Sequence, residues 1–275
     1  QERVQQVVEK QGLDTTEIPL LHRFEDMLEL DLDGIFVVTP PANHADTAIA
    51  AMQAGKHVFI EKPMADSLED CYRIKFESER LGKTVMVGHT FVYHPAVRRF
   101  RDALPEIGTL RSVYTVRANF GLYQDVGVVP DLLPHDLSIF TYLCEGFPDD
   151  VQAIVNPNQD VAYVAANFGK VHCSAFLSWS YPEKTRKLVA VGDRGILEWD
   201  LSWAHLLLHR KFAERKGPGT FVHTDDGTIT LGIDDQSEPL MNEAVHFMAC
   251  LRDGTQPMTG IEEGINVVKG LAACR

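Results

Sequence analysis

Three short apolar runs punctuate the first third of the chain: DGIFVV (33–38), HVFI (57–60) and TVMVG (84–88). Each is too short for a buried helix and rich in β-branched residues, the pattern of a strand covered on both faces. The stretches between them keep a different period. Ala45, Ala48, Ile49 and Met52 recur at helical spacing, with Asn43 as a candidate cap, Asp46 three residues on and Gly55 as a stop. SLEDCYRIKFESERLG (67–82) reads as the next helix. Strand–helix alternation dictates a parallel sheet with right-handed crossovers, because a strand can run parallel to its predecessor only if the chain returns across the face of the sheet. Upstream, RVQQVVEKQG (3–12) and RFEDMLEL (23–30) read as helices and IPLLHR (18–23) as a short strand.

The texture changes after about residue 92. RSVYTVRANF, VQAIV, VAYVAANFG, VHCSAFLSWS, RKLVAVGD, ILEWD and WAHLLLHR follow one another with Gly, Pro, Asn and Asp between them. Consecutive strands without intervening helices predict an open, mostly antiparallel sheet. One helix is expected over 134–144, and two more, over 238–253 and 261–273, close the chain. The fold class is therefore α/β followed by α+β: a doubly wound parallel piece over 1–92, and a second domain over 93–275.

The first piece is incomplete by the standard of dinucleotide-binding domains. Those open with a strand, a G-x-G-x-x-G turn and a helix, and order their strands 3-2-1-4-5-6. The glycine fingerprint is absent from these 275 residues, and if IPLLHR is the third strand, the first two are missing. A piece of a longer chain is the expected explanation; a compact sheet that never had those strands is the alternative.

Composition removes several function classes. The net charge of −13 argues against a nucleic-acid or anionic membrane partner. No apolar run reaches the roughly 18 residues of a membrane span. Cys71, Cys144, Cys173, Cys250 and Cys274 are scattered and form no C-x-x-C pair, so reduced thiols and a cytoplasmic location are expected. There is no H-E-x-x-H and no G-x-S-x-G, hence no expected metal site and no serine hydrolase elbow.

The chemistry concentrates at strand ends. HVFI runs directly into Glu61, Lys62 and Pro63. Ligands of open α/β sheets bind outside the carboxyl ends of the strands, so the Lys62 ammonium can reach that crevice while Pro63 restricts the turn. Read from these residues alone, Lys62 is either a group that bonds a reacting hydroxyl or a surface lysine paired with Glu61. Asp131 and His135 stand four apart and share a face if the segment is helical. With Pro134 at the first helical position, His135 falls in the first turn, where the helix dipole favours a neutral, proton-accepting imidazole. Asp136 reads as a dipole partner of that turn. GHTFVYHP (88–95) follows the third strand and faces the same crevice, so His89 and Tyr93 are candidates for substrate contact. Trp179, Lys184 and Arg186 could line a sugar or phosphate site, or form a solvated strand edge.

GIFVVTPPANHADTAIAAMQAGKHVFIEKPMA resembles the middle of the Rossmann domain of the glucose–fructose oxidoreductase, inositol dehydrogenase and rhizopine-catabolism (Gfo/Idh/MocA) family. Thr39-Pro40…His44, Glu61-Lys62-Pro63 and, about seventy residues on, Asp131…His135 are similar to its hallmarks in order and context. The resemblance implies a cis Lys62–Pro63 bond, Lys62, His135 and Asp131 as catalytic residues, and Thr39, Pro40, His44, Glu61, Lys62 and Pro63 beside an NAD or NADP cofactor. It implies hydride transfer between nicotinamide and a secondary alcohol of a sugar, sugar nucleotide or cyclitol, in a homo-oligomer (dimer or tetramer). Two departures stand out: Ser138 and Val92 occupy positions where relatives often carry an acid and an arginine. A non-catalytic sugar or dinucleotide sensor on the same scaffold, or an inactive fragment, remain as alternatives.

Overall fold

The computed structural model describes residues 10, 19–121, 123 and 125–274. Its first sheet holds three strands, β1 (Gly34–Val37), β2 (His57–Glu61) and β3 (Val85–Gly88), in that order. All pairings are parallel, with Val37 opposite Ile60 and Ile60 opposite Val87. The strict alternation of strand side chains splits the apolar residues between two faces. Ile35, Val37, Val58, Ile60, Val85 and Val87 meet α2 (His44–Gln53) and α3 (Leu68–Leu81) on one face. Phe59 and Met86 point to the other, where Phe36 stacks on Phe59 at 4.6 Å. Helix α3 has the ends its sequence specifies: the Ser67 hydroxyl accepts from the Asp70 N–H at 3.1 Å, and Gly82 takes the left-handed conformation at φ 62°. Asn43 makes no side-chain cap; a single 3₁₀ turn over Pro41–Asn43 leads into α2 instead.

The second sheet has eight strands: β4 (Leu110–Phe120), β5 (Asp150–Val155), β6 (Val161–Phe168), β7 (Val171–Ser178), β8 (Ser180–Gly192), β9 (Ile196–Asp200), β10 (His205–Gly217) and β11 (Thr220–Gly232). Their order is β11-β10-β9-β8-β4-β7-β6-β5, and only the β4–β7 pair is parallel. Helices α4 (Pro95–Ala103) and α5 (Val128–Cys144) cover its inner face, with Leu133, Leu137 and Phe140 packed against Ala162, Val164 and Leu177. The outer face leaves Tyr114, Ile154 and Tyr163 exposed. Helices α6 (Pro239–Asp253) and α7 (Ile261–Ala273) return to bridge the two sheets. Ile265 and Val268 of α7 join the core of the first sheet, and Val267 and Leu271 join that of the second. Phe247 of α6 packs edge-on against both Phe36 and Phe59.

Four local expectations fail. Residues 19–23 form no strand, and the helix expected over 23–30 contracts to α1 (Phe24–Leu28). Strand β11 arises from a segment with too many polar residues to read as a strand, ordered by its hairpin with β10. Helix α5 begins six residues before Pro134, because burial of Val128, Val129, Leu132 and Leu133 outweighs the one helical hydrogen bond a proline removes. The helix expected over 3–12 lies, apart from Lys10, outside the described residues.

Candidate active site

The site begins with the turn that follows β2. Glu61 accepts the backbone N–H of Lys62 at 3.1 Å, and the Lys62–Pro63 bond is cis. Lys62 turns towards the first turn of α5, not towards Glu61. Its Nζ donates to the Asp131 carbonyl at 2.9 Å and lies 3.6 Å from the Asp131 carboxylate. Both side chains keep a little exposure, 19% and 18%, so the pair borders an opening rather than a core. Gly127, at φ 80°, starts α5 in a conformation that other residues resist.

His135 stands one turn beyond Asp131, half-buried, with its ring edge-on to Phe91 at 5.1 Å and its buried Nδ1 without a protein partner. Its proton affinity falls well below the usual histidine range. Burial is the main cause, followed by the positive charges of Arg117 and Lys62, then His89 and Arg186. The outcome expected from the helix dipole, a neutral imidazole, is therefore reached by another route, since His135 lies past the first turn of a helix that begins at Val128. His89 is wholly buried, neither ring nitrogen has a partner, and burial with the nearby Lys62 charge brings it down to about 4.

Sequence reasoning misread Asp136. It is fully buried and no dipole partner: Arg117 of β4 grips it through Nε at 3.1 and 3.2 Å and Nη2 at 3.0 Å. The Arg117 guanidinium also lies 4.3 Å over the Phe91 ring. A signal for this existed in β4. Val113, Thr115, Arg117 and Asn119 share the inward phase of the strand, and three of the four are polar. A charged residue on the core-facing phase demands a buried partner.

Arg186 of β8 joins the cluster, held by the carbonyls of Ala118 and Thr185, both at 2.9 Å. Burial, then repulsion by Arg117, lowers it to about 10, against the pull of Asp136 and Asp131. Lys184 remains exposed. Two other candidates are corrected. Tyr93 is fully buried, and its hydroxyl pairs with Thr259 at 2.9 Å, so it is packing. Trp179 is 2% exposed within the core of the second sheet and offers no face to a sugar.

On the cofactor side, Thr39 and Pro40 are exposed at the carboxyl end of β1. His44 is buried beneath them; its ring nitrogens meet the Thr39 carbonyl at 2.6 Å and the Pro63 carbonyl at 3.0 Å. It ties the two strand-end loops together and presents no ring nitrogen to a ligand, which corrects its expected place against the cofactor. Glu61 and Pro63 are half-buried. The loops joined by His44 and the ammonium beside them suit the nicotinamide end of a dinucleotide; the glycine turn that would cradle its diphosphate does not occur in the sequence.

The described residues contain no group of three His, Cys, Asp or Glu side chains able to hold a metal ion. His205 and His209 stand four apart on β10, but His209 pairs with Glu198 at 3.0 Å and with Thr228. No described helix is long and apolar enough to cross a membrane.

Comparison with known proteins supports the fold. Residues 1–89 match the model of the Gfo/Idh/MocA oxidoreductase family, which has an NAD-binding Rossmann fold. The UDP-N-acetylglucosamine 3-dehydrogenase of Acidithiobacillus ferrooxidans is 33% identical over 131 residues, 47% of this chain and 41% of that protein. The first 89 residues thus carry the match to the Gfo/Idh/MocA family. Another relative, the 1-carboxy-3-chloro-3,4-dihydroxycyclohexa-1,5-diene dehydrogenase of Comamonas testosteroni, is 32% identical over 136 residues, 45% of this chain and 34% of that protein. These matches thus span only about a third to two fifths of the curated relatives. The fold match is longer: the crystal structure of the Acidithiobacillus enzyme aligns with a TM-score of 0.84 over all of this chain and 86% of its own, at 22% identity.

Proposed function

We propose that this protein is an NAD(P)-dependent oxidoreductase that transfers a hydride between nicotinamide and a secondary alcohol or ketone of a sugar, sugar nucleotide or cyclitol. One observation carries the reading: at the carboxyl end of a parallel sheet the Lys62 ammonium, sixty-nine residues from its partner, donates to the Asp131 carbonyl beside the Asp131 carboxylate, with the His135 imidazole one turn further along α5. The family match and relatives named as dehydrogenases of sugars and inositols support the substrate class.

The bound cofactor supplies the hydride acceptor or donor. Everything else falls to the chain. Thr39, Pro40 and the Lys62–Pro63 turn would hold the nicotinamide end, their loops tied together from below by His44. Lys62 bonds the reacting hydroxyl; Asp131 aims the ammonium and takes a neighbouring hydroxyl. His135, held neutral by burial and by surrounding cations, accepts the hydroxyl proton during oxidation and returns it during reduction. Arg186 presents a cation to a substrate oxygen. The exposed outer face of the eight-stranded sheet, with Tyr114, Ile154 and Tyr163, suits self-association.

The test is nicotinamide absorbance with NAD and NADP across a panel of sugars, nucleotide sugars and cyclitols. Lys62→Ala should lower kcat/KM by a factor of about 10² to 10⁴, the usual range for a positioned proton-transfer group. Undiminished turnover in that variant would remove the mechanism. Cofactor and sugar binding without turnover in the parent protein would favour a sensor.

A further inference from the structure

Helix α5, which carries Asp131 and His135, ends at Cys144. There its Sγ lies 3.8 Å from the Sγ of Cys173 on β7. The strand phase explains the meeting: Cys173, Ala175 and Leu177 share the buried, inward phase of β7, the face that α5 covers. The two cysteines stand twenty-nine positions apart, so nothing local pairs them. Other thiols are placed differently. Cys71 is fully buried in the core of the first sheet, and Cys250 faces Nε2 of His246 at 3.5 Å.

Two thiols already in contact need only a short approach, since a disulfide joins its sulfurs at about 2 Å. Cys173 cannot supply that movement, because β7 is hydrogen-bonded on both sides, to β4 and to β6. Cys144 can, because the helix stops there and Glu145 and Gly146 lead away from the sheet. Cys144 also keeps some exposure, whereas Cys173 is buried. We propose that Cys144 and Cys173 are a two-electron oxidation site, in which a peroxide converts the thiol pair to a disulfide that fastens the end of α5 to β7 and that thiol reductants reopen.

The Cys144 thiolate attacks one oxygen of hydrogen peroxide. The O–O bond breaks, giving a sulfenic acid and a hydroxide that takes up the proton Cys144 released. The Cys173 sulfur then attacks the sulfenic sulfur, the S–O bond breaks, and the departing hydroxide leaves as water with the Cys173 proton. Two thiols and one peroxide become a disulfide and two waters. The order follows from the contact. An S–H donated by Cys173 favours the thiolate at Cys144 against its burial, whereas the same contact and burial push Cys173 up. The carboxyl end of the helix works against a thiolate at Cys144, so the neighbouring sulfur, not the helix, selects it.

The inference does not depend on the oxidoreductase reading, and its test needs no turnover. The full chain is incubated with hydrogen peroxide, its remaining thiols are alkylated in urea, and the digest is mapped by mass spectrometry without reduction. Two of the five thiols should escape alkylation. One linked peptide pair, lighter by two hydrogens than its separate halves, should carry Cys144 and Cys173, and dithiothreitol before alkylation should restore both. In Cys173→Ser the pair cannot close, so dimedone should trap a sulfenic acid at Cys144; in Cys144→Ser no adduct should form at Cys173. The oxidised parent protein should unfold at higher urea than the reduced one, because the bond closes a long loop in the unfolded chain, and neither variant should show that rise. Both thiols still open to alkylation after the exposed Met241 has become its sulfoxide would overturn the site, as would either one joined to Cys71, Cys250 or Cys274. An unmoved urea midpoint in the oxidised parent would overturn the fastening of α5.

Discussion

Replacing Arg117 with methionine should both destabilise the protein and retune its site. The side chain is 5% exposed and Asp136 is not exposed at all, with three N–O contacts between 3.0 and 3.2 Å. Methionine preserves much of the apolar volume over Phe91 but leaves a buried carboxylate without its counter-ion. Breaking one half of a buried pair costs about 3–5 kcal/mol, because the remaining charge keeps its desolvation penalty and loses its compensation. The pair joins β4 of the second sheet to α5, which carries Asp131 and His135, so the loss also loosens the site. The double variant Arg117→Met with Asp136→Leu removes both charges and should recover most of the stability. Urea denaturation followed by circular dichroism measures both changes. A second consequence is electrostatic. Arg117 ranks after burial among the causes that depress His135, so its removal raises that proton affinity and shifts the acid limb of the pH–rate profile upwards. A single variant that loses less than about 1 kcal/mol, far below the cost of an orphaned buried charge, would refute the reasoning; so would an unmoved acid limb.

Two further outcomes follow from packing and burial. Glu243 of α6 is buried, with Oε1 accepting from Thr90 at 2.9 Å and Oε2 unpartnered, and burial pushes its carboxyl up from 4.5 to about 7, aided by Glu61 and Glu238. The folded state therefore holds a proton that the unfolded chain has released, and the stability it contributes below about pH 4.5 is lost as pH rises through about 7. Glu243→Gln should lack this decline, so its stability relative to the parent protein should grow from pH 5 to pH 8 in thermal melts; a constant difference would contradict the assignment. Gly264 of α7 lies so close to the first sheet that a β-carbon there would come within 2.7 Å of Met64 Sδ and 2.9 Å of Val87 Cγ2. Gly264→Ala should cost about 1–3 kcal/mol in urea denaturation, the range for an overpacked core, and a neutral result would mean that α7 shifts freely.

Local pattern was enough for the first sheet. Period-two and period-3.6 hydrophobicity specify β1, β2, β3, α2 and α3, since each buries a face that its own sequence marks out. The Glu61-Lys62-Pro63 turn was equally legible, because its chemistry departs abruptly from the strand before it. Arg117 and Asp136, nineteen positions apart, were not. Neither has a local neighbour that reveals the other, and an aspartate beside a histidine near an expected helix start reads most simply as a dipole partner. The true start of α5 was hidden for a related reason: Pro134 suits a first helical position, and only the burial of Val128 and Leu132 against the sheet carries the helix six residues further back. Tyr93 and Trp179 illustrate the converse, since an aromatic in a strand-end loop looks the same in sequence whether it faces a ligand or a core.

The sequence by itself determined the alternation of the first sheet, the run of strands that follows, and the amine, carboxylate and imidazole available for chemistry, because these are written in local periodicity and residue type. Tertiary structure alone decided that Lys62 meets Asp131 instead of Glu61, that burial and cations rather than a helix dipole lower the proton affinity of His135, and that Arg117 meets Asp136 in the core. Those outcomes depend on desolvation and on charges brought together across many tens of residues, and no window along the chain contains them.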